Sequence, residues 1–527
     1  MKTTTGTYGS GTTAENSLVA NMLKYPEIAR TLIQQHPRYT MTYLLEMTGR
    51  FAAEKIIGNN AFEWKVMGRY NKPSKSLGWI SHTTSGTYAV YDSDSGDAAA
   101  TGTDIDIASA QGDEFFVNFD HDEANGVYGD FLNKNDLVRF QSGCTAIVTS
   151  APAAASALSA SGNGLAVTTS DFKVGFTIVG TANLQQSDIA ANALVNSIGT
   201  AFGQGSAGST VGETFAYPDT YKNHLTLNRR MCSITGQDMT DVTWIENNGS
   251  RLWYFTREQQ LNDEFFYQLE LQSWYAKTSA VSADIDDFAG DSAVPGTDSN
   301  STVTDANSKN VLTGDGLLAQ IDSTNQASYT AGSLTENIIT DFIGKISLNA
   351  TAASGNEWVV MTGTEGRIAF HKAMKEMLVA PAGAMTGGSL GSVTAGADVE
   401  LGANFTSYYA LGNKITVAYC PVFDDPNLHS SAAGTNSFGD NRLKESAKMV
   451  FLDMGVTSGV SNIETITKGA EGYNRSFVKK YVPGMVNPYD QASILSASGD
   501  DKFECHMLSE RGIIVRNPLS CGILSVA

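Results

Sequence analysis

Several groups of residues in this chain have types and spacing that invite a chemical reading. Gly363-Thr364-Glu365-Gly366 stands between a buried-type strand, Trp358-Val359-Val360-Met361, and a helix expected over 367–379. Backbone N–H groups at such a junction can cradle a phosphate. The stretch lacks both the Gly-Lys-Ser/Thr ending and the Gly-x-Gly-x-x-Gly order, so it reads as a tight turn. Asp284, Asp286, Asp287 and Asp291 offer clustered carboxylates of the kind a hard cation takes. They lack the alternating order of an EF-hand, and the reading is a solvated acidic loop. His121-Asp122 follows a strand and supplies half a metal pair with no histidine near it in sequence. His371, beside Lys372 and Lys375, and His506, beside Cys505, have no second ligand at metal spacing. No Gly-x-Ser-x-Gly elbow occurs, and the seven histidines form no recognisable triad. No catalytic, cofactor-binding or metal residue is therefore assigned, and the chain is expected not to be an enzyme. Arg229-Arg230 and Lys479-Lys480 are the noticeable basic pairs, suited to meeting acidic surface on another subunit or to lying solvated.

The elements that would position these residues belong to a chain of 527 residues, long enough for two to four units with real cores. Thirty-five basic against fifty-five acidic residues give a formal net charge of −20. That balance argues against tightly held nucleic acid, whose footprints are basic. It suits a protein packed against its own copies or facing polyanion that must not stick. The start, Met1-Lys2-Thr3-Thr4-Thr5-Gly6, has no apolar run of signal-peptide length, and no stretch of membrane-spanning length is apolar, so synthesis in the cytosol is expected. Five cysteines (Cys144, Cys232, Cys420, Cys505, Cys521) occur without a Cys-x-x-Cys pair. Neither a disulfide framework nor a zinc ribbon is encoded, and the thiols read as small buried apolar groups.

The organising element is the Gly- and Pro-free stretch 250–277. Ser250 is placed to cap it, and Phe255, Leu261, Phe265, Phe266, Leu269 and Trp274 recur near helical spacing. A long spine helix is expected. Before it come short amphipathic helices between Ala14 and Ile57, broken at Pro37. A two-stranded excursion follows, from Phe62-Glu63-Trp64-Lys65-Val66-Met67 through a Gly/Ser/Lys loop (68–78) to Tyr88-Ala89-Val90-Tyr91 and Glu114-Phe115-Phe116-Val117-Asn118-Phe119. Such a ribbon alone is marginal in water and needs a neighbour to lie on. Short strands at 136–140, 146–148, 165–167 and 172–179 suggest a small β-barrel or sandwich, and 203–212 a Gly/Ser linker. After the spine, 279–310 reads as a surface loop and 311–527 alternates helix and strand. Ser333 with Glu336 reads as a capping box, opening a helix whose face carries Leu334, Ile338, Phe342 and Ile346.

This order of parts resembles the HK97-like fold of tailed-phage major capsid proteins. The resemblance rests on Tyr221 to Gly236 before the spine, Gly314-Asp315-Gly316-Leu317-Leu318, and the stretch Glu357 to Phe370. Cys420-Pro421-Val422-Phe423-Asp424-Asp425-Pro426, Asn474-Arg475-Ser476, Val482-Pro483-Gly484-Met485 and the ending Arg516-Asn517-Pro518-Leu519-Ser520-Cys521-Gly522 look most like capsid proteins of crAss-like phages. The resemblance implies an α+β fold with an N-terminal arm (1–58), an extended loop (59–135) and a peripheral domain holding the spine (202–310), while an inserted β-rich domain (136–201) departs from the minimal family pattern. An axial domain (311–440) and return strands (441–527) complete it. It also implies self-assembly into hexamers and pentamers around packaged double-stranded DNA, which is touched weakly and without sequence preference. Portal, scaffold and decoration proteins are the implied partners, no membrane is involved, and the place is the virion, assembled in bacterial cytoplasm. Lys72 and Lys75 sit in the extended loop, but no Asn and Glu can be matched to them, so no crosslink is assigned. A tail-fibre or adhesin β protein, favoured by the Gly/Ser/Thr-rich middle, and a metal-dependent hydrolase using 284–291 are the alternatives.

Overall fold

A computed structural model describes residues 55–66, 74–81, 89–90, 97–98, 103–104, 111–122, 129–159, 165–180, 184–206, 218–237, 253–279, 303–309, 311–330, 332–348, 357–378, 407–425, 428, 444–457, 460–489 and 496–527. The expected N-terminal helices as far as residue 54, Ser250, Lys72 and the acidic cluster at 284–291 lie outside them; Lys55–Ile57, expected to end those helices, is instead a strand, held by parallel pairing with Ile466–Lys468. The chain divides into two units, residues 67–219 and the remainder. Its first described strands, β1 (Lys55–Ile57) and β2 (Ala61–Val66), belong to the larger unit. Phe62 and its neighbours were expected to begin the ribbon. Instead β2 pairs within the larger unit with a strand at Asp219–His224.

The smaller unit is built from β3 (Ser74–Ser81), β4 (Glu114–Phe119), β5 (Asp136–Arg139), β6 (Thr145–Ala154), β7 (Phe172–Val179) and β8 (Leu194–Thr200). They run in the order β8-β5-β6-β7-β4-β3, and β8 pairs again with β3, so the sheet closes on itself. Closure removes the edges of these six strands, and Ala89–Val90, expected to return antiparallel, pairs with β3 outside the closed circuit. Of the two architectures expected for 136–201, a small barrel or a sandwich, the strands form a closed sheet, and it is completed by two strands from the stretch expected to form a free ribbon. The strand β3 falls in what reads by composition as a loop. Gly78, at φ 79°, lets the chain bulge there, and the register against β4 shifts between Ser76 and Ile80. Leu165 to Val167, expected as a strand, makes only an isolated bridge between Leu158 and Val167. Inside, Phe115 stacks on Phe176 at 5.4 Å, and Phe119 and Phe140 meet Phe176 edge-on. This aromatic cluster needs both β4 and β7, which explains why neither segment stands alone.

Among the described residues the larger unit has two six-stranded sheets and the long helix α1 (Trp253–Tyr275), besides the two-stranded pairings of β2 with Asp219–His224 and of Val456–Thr457 with Val460–Ser461. In one sheet the 14-residue strand Lys502–Val515 lies beside Thr226–Thr235 on one side and beside Ile463–Ala470 and Val478–Pro483 on the other. The other runs in the order Gln326–Tyr329, Gly522–Val526, Met449–Asp453, Glu357–Thr362, Asn413–Tyr419, Ser407–Ala410. On one of its faces sit α2 (Glu336–Ser347) and α3 (Thr364–Leu378), through Ile339, Phe342, Ile343, Phe370 and Met374. The other face, with Met361, Val450 and Leu452, meets Trp274, Phe423, Ile513 and Val515. Both faces are covered, which is why Trp358 to Met361 reads as an unbroken apolar run. The expectation of a spine is met in this sense: α1 lays Leu261, Phe265 and Leu269 on the first sheet and inserts Trp274 into the core of the second.

The expected capping box does not form, because the helix starts later. Thr335, not Ser333, is the N-cap and accepts from Ile338 N–H, while Glu336 opens the helix and accepts from the Tyr408 and Thr340 hydroxyls.

Candidate functional site

Each chemical candidate can be placed by the element that carries it. At 363–366 the helix begins at Thr364, three residues before the expected start at 367. Its open N–H groups are already answered by a carboxylate of the same chain. Thr364 N–H donates to both oxygens of Asp424, at 3.1 and 3.0 Å, and the Thr364 hydroxyl donates at 2.6 Å. Ser446 donates to Asp424 and accepts from Glu365 N–H at 3.0 Å. The positive end of the helix is therefore neutralised from within. A Cβ at Gly363 would sit 2.6 Å from Asp424 Oδ1 and 2.8 Å from the Ser446 backbone. That glycine makes room for a carboxylate, not for a phosphate.

The histidines separate in the same way. His121 Nδ1 accepts from Gly129 N–H at 3.3 Å, and the ring meets Phe172 edge-on at 4.8 Å. Its backbone N–H is held by Asp171 at 3.1 Å. Cys505 and His506 alternate on one strand, so the thiol points under α1 while the imidazole faces the other way and contacts Glu504 at 3.0 Å. They cannot share an ion. His371 lies half-buried on α3. No group of three metal-ligating side chains occurs among the described residues.

Strand alternation also splits each basic pair. Arg230 and Lys479 turn toward α1, where Arg230 donates to Gln268 at 2.8 Å and Lys479 pairs with Glu258. Arg229 and Lys480 are exposed on the opposite face of the sheet.

Sequence reading missed the polar cluster around Glu258. This carboxylate accepts from Tyr481 at 2.7 Å and from Tyr489, and it pairs with Lys479. Burial alone would raise its pKa, but the bonds from Lys479, Tyr489 and Tyr481 outweigh that and hold it below the usual carboxylate value. Burial works against the Lys479 charge in turn, and Glu258 outweighs it, so that ammonium titrates higher than usual. The four residues come from α1, from Val478–Pro483 and from beyond it, a convergence that no sequence window contains.

A second missed feature lies at the open end of the sheet carrying α2 and α3. Ser407–Ala410 and Asn413–Tyr419 form a hairpin with a two-residue turn, Leu411 at φ 51° and Gly412 at φ 78°. Both left-handed residues are what a type I′ turn requires, and Asn or Gly is the usual occupant. A leucine there is unusual and strained. It is 64% exposed, with exposed Tyr409 beside it, and it lies over the end of α2 near Gly344. Exposed Leu348 follows that helix.

The chain was compared with known proteins against this geometry. The family model described as Crassvirus major capsid protein matches residues 191–527. This chain belongs to that family. No curated protein matches it. Solved structures similar in part include the capsid of a native GTA particle, at 10% identity over 62% of this chain and 81% of that one with a TM-score of 0.30. The capsid of cyanophage P-SCSP1u is 8% identical over 62% and 80%, at 0.30. The holo-SrpI encapsulin complex from Synechococcus elongatus PCC 7942 is 8% identical over 59% and 77%, at 0.27. The α+β, HK97-like architecture expected from the order of parts accords with the family and with the elements described. As a Crassvirus-type major capsid protein the chain is a component of a phage shell, and its family points to a structural role. The matched span covers the larger unit from Thr220 onward and only the last strand of the barrel.

Proposed function

We propose that this chain is the repeating subunit of an icosahedral shell, joining copies of itself into hexamers and pentamers that enclose double-stranded DNA. The family match over 191–527 is the observation that carries the reading. The hairpin tip supports it, since an apolar residue held exposed at an energetic cost suits a surface that becomes covered by another molecule. A specific interface normally buries over ~1,000 Å², so the tip would be one contact among several. Within this reading 1–58 is the arm, the extended loop of 59–135 lends 61–66 to the larger unit and 74–81 and 114–119 to the barrel, 202–310 is the peripheral part and 311–440 the axial part, with 441–527 returning through both. The barrel around 136–201 decorates or staples the shell. The net charge of −20 is compatible with weak, sequence-independent contact with packaged DNA. Portal, scaffold and decoration proteins would be the partners of the assembled form, and assembly would take place in the host bacterium's cytoplasm.

Electron microscopy of the purified chain, alone and co-expressed with the other shell proteins of its phage, tests this. Closed particles with five- and six-fold capsomers are expected. Trimeric rods would favour the fibre reading, and monomers under every condition would overturn self-assembly. Removing 68–112 would not serve as a clean test, because it deletes β3 from the barrel. Shortening 91–110 spares the barrel strands and is expected to leave a soluble subunit that closes particles poorly.

A further inference from the structure

Cys232 and Cys505 stand directly opposite each other in the antiparallel ladder between Thr226–Thr235 and Lys502–Val515. Both side chains turn under α1, among Leu261, Phe265, Leu269 and Met507. They are 5% and 1% exposed. Each thiol perturbs the ionisation of the other. Directly opposed residues of an antiparallel pair have Cα atoms about 4.5 or 5.5 Å apart, depending on the pair type. Both values fall within the roughly 4.4–6.8 Å that a disulfide spans. The remaining three cysteines are buried in other clusters: Cys144 in the barrel, and Cys420 and Cys521 where α1 meets the second sheet.

We propose that Cys232 and Cys505 form a site of reversible oxidation, closing a cross-strand disulfide that fastens Thr226–Thr235 to Lys502–Val515. The oxidant is a small-molecule disulfide. The Cys232 thiolate attacks one of its sulfurs, forming a mixed disulfide and expelling one thiolate. The Cys505 thiolate then attacks the Cys232 sulfur, forming the protein disulfide and expelling the second. The two protons lost by the cysteines go to the two leaving thiolates, and the oxidant is reduced by two electrons while the cysteine pair is oxidised.

The order of attack follows from the surroundings. The neighbouring Cys505, together with the Arg257 guanidinium, favours the Cys232 thiolate against its burial and the Glu258 charge. The neighbouring Cys232, then burial and Glu258, oppose ionisation of Cys505, and Lys479 eases it only in part. Thr226–Thr235 pairs among the described residues only with Lys502–Val515, so it is an edge of the sheet. Fraying of that edge gives the reagent entry without opening the core of the unit. A zinc site is excluded as the explanation, because Glu504 and His506 face away from the thiols and no third ligand joins them among the described residues. The two positions are 273 residues apart in sequence, so nothing in their spacing announces the pair.

The test uses the full chain purified with its five thiols reduced. It is equilibrated with oxidised glutathione in a urea series kept below the unfolding transition, then titrated for thiols and digested without reduction. Expected are the loss of two thiols, a peptide joining the two strands through Cys232 and Cys505, and a higher urea midpoint that dithiothreitol reverses. Cys232→Ser and Cys505→Ser should each abolish the linked peptide while keeping the reduced chain's circular dichroism. Retention of all five thiols across the series, stable glutathione adducts in place of the link, or linkage of any other pair would overturn the proposal.

Discussion

Replacing Glu258 by Gln keeps the shape of the side chain and removes its charge, leaving the Lys479 ammonium facing a neutral amide. Exposed ion pairs are worth about 0–1 kcal/mol, whereas breaking a buried pair costs roughly 3–5 kcal/mol because the orphaned charge stays desolvated. Here the Glu258 and Lys479 side chains are 12% and 26% exposed, which places the pair nearer the buried case. Gln still accepts from the hydroxyls of Tyr481 and Tyr489, so those bonds weaken without vanishing. The expected loss is about 2–4 kcal/mol at neutral pH. The assay is urea denaturation of the unassembled chain at one fixed protein concentration, since association shifts apparent stability. The double variant Glu258→Gln/Lys479→Met should recover much of the loss, because it removes the orphaned charge with its partner. The sign with pH follows from the two displacements. Glu258 is held below its ordinary 4.5, so its contribution is present above that value and disappears as pH falls through the depressed pKa. Lys479 is raised above 10.5, so its contribution is present below that value and is lost as pH climbs through the raised pKa. The gap between wild type and Glu258→Gln should therefore be flat from about pH 5 to 10 and narrow on the acid side. A loss below about 0.5 kcal/mol, or a double variant that costs the sum of the singles, would refute the buried-pair argument.

Three further predictions concern other parts of the larger unit. Leu411→Asn should leave the free chain as stable or up to about 1 kcal/mol more so, by easing the left-handed turn, yet reduce the yield of closed particles counted by electron microscopy; full yield would remove the tip from assembly. Gly363→Ala should cost about 2–3 kcal/mol in denaturation, because the new methyl meets Asp424 and the Ser446 backbone. Asp424→Asn should cost less, about 1–2 kcal/mol, and neither change should alter phosphate binding, measured by calorimetry, if Asp424 fills that helix end. Trp274→Ala should be the most damaging, at roughly 3–5 kcal/mol, since the indole is fully buried and donates to Glu270 at 3.0 Å; a loss under half of that would mean the cavity collapses.

Local pattern was enough to find the elements whose stability is local. The periodicity of 250–277 marked the long helix found at Trp253–Tyr275, Phe172 to Val179 read as a strand and Trp358 to Met361 as a buried one, because the side chains that make each element also name its environment. The order of those elements was enough to reach the family. The strand at Ser74–Ser81 was not legible, because its polar text is held in place by pairing with residues some forty and one hundred and twenty positions away. The same distance hid Asp424 from the helix it caps, Lys479 from Glu258, and Cys232 from Cys505. Composition and periodicity thus decided which segments fold and which faces they bury. Partnership between charges, thiols and barrel strands was decided only by tertiary structure, since a carboxylate or a thiol carries no signal of which distant group will stand against it.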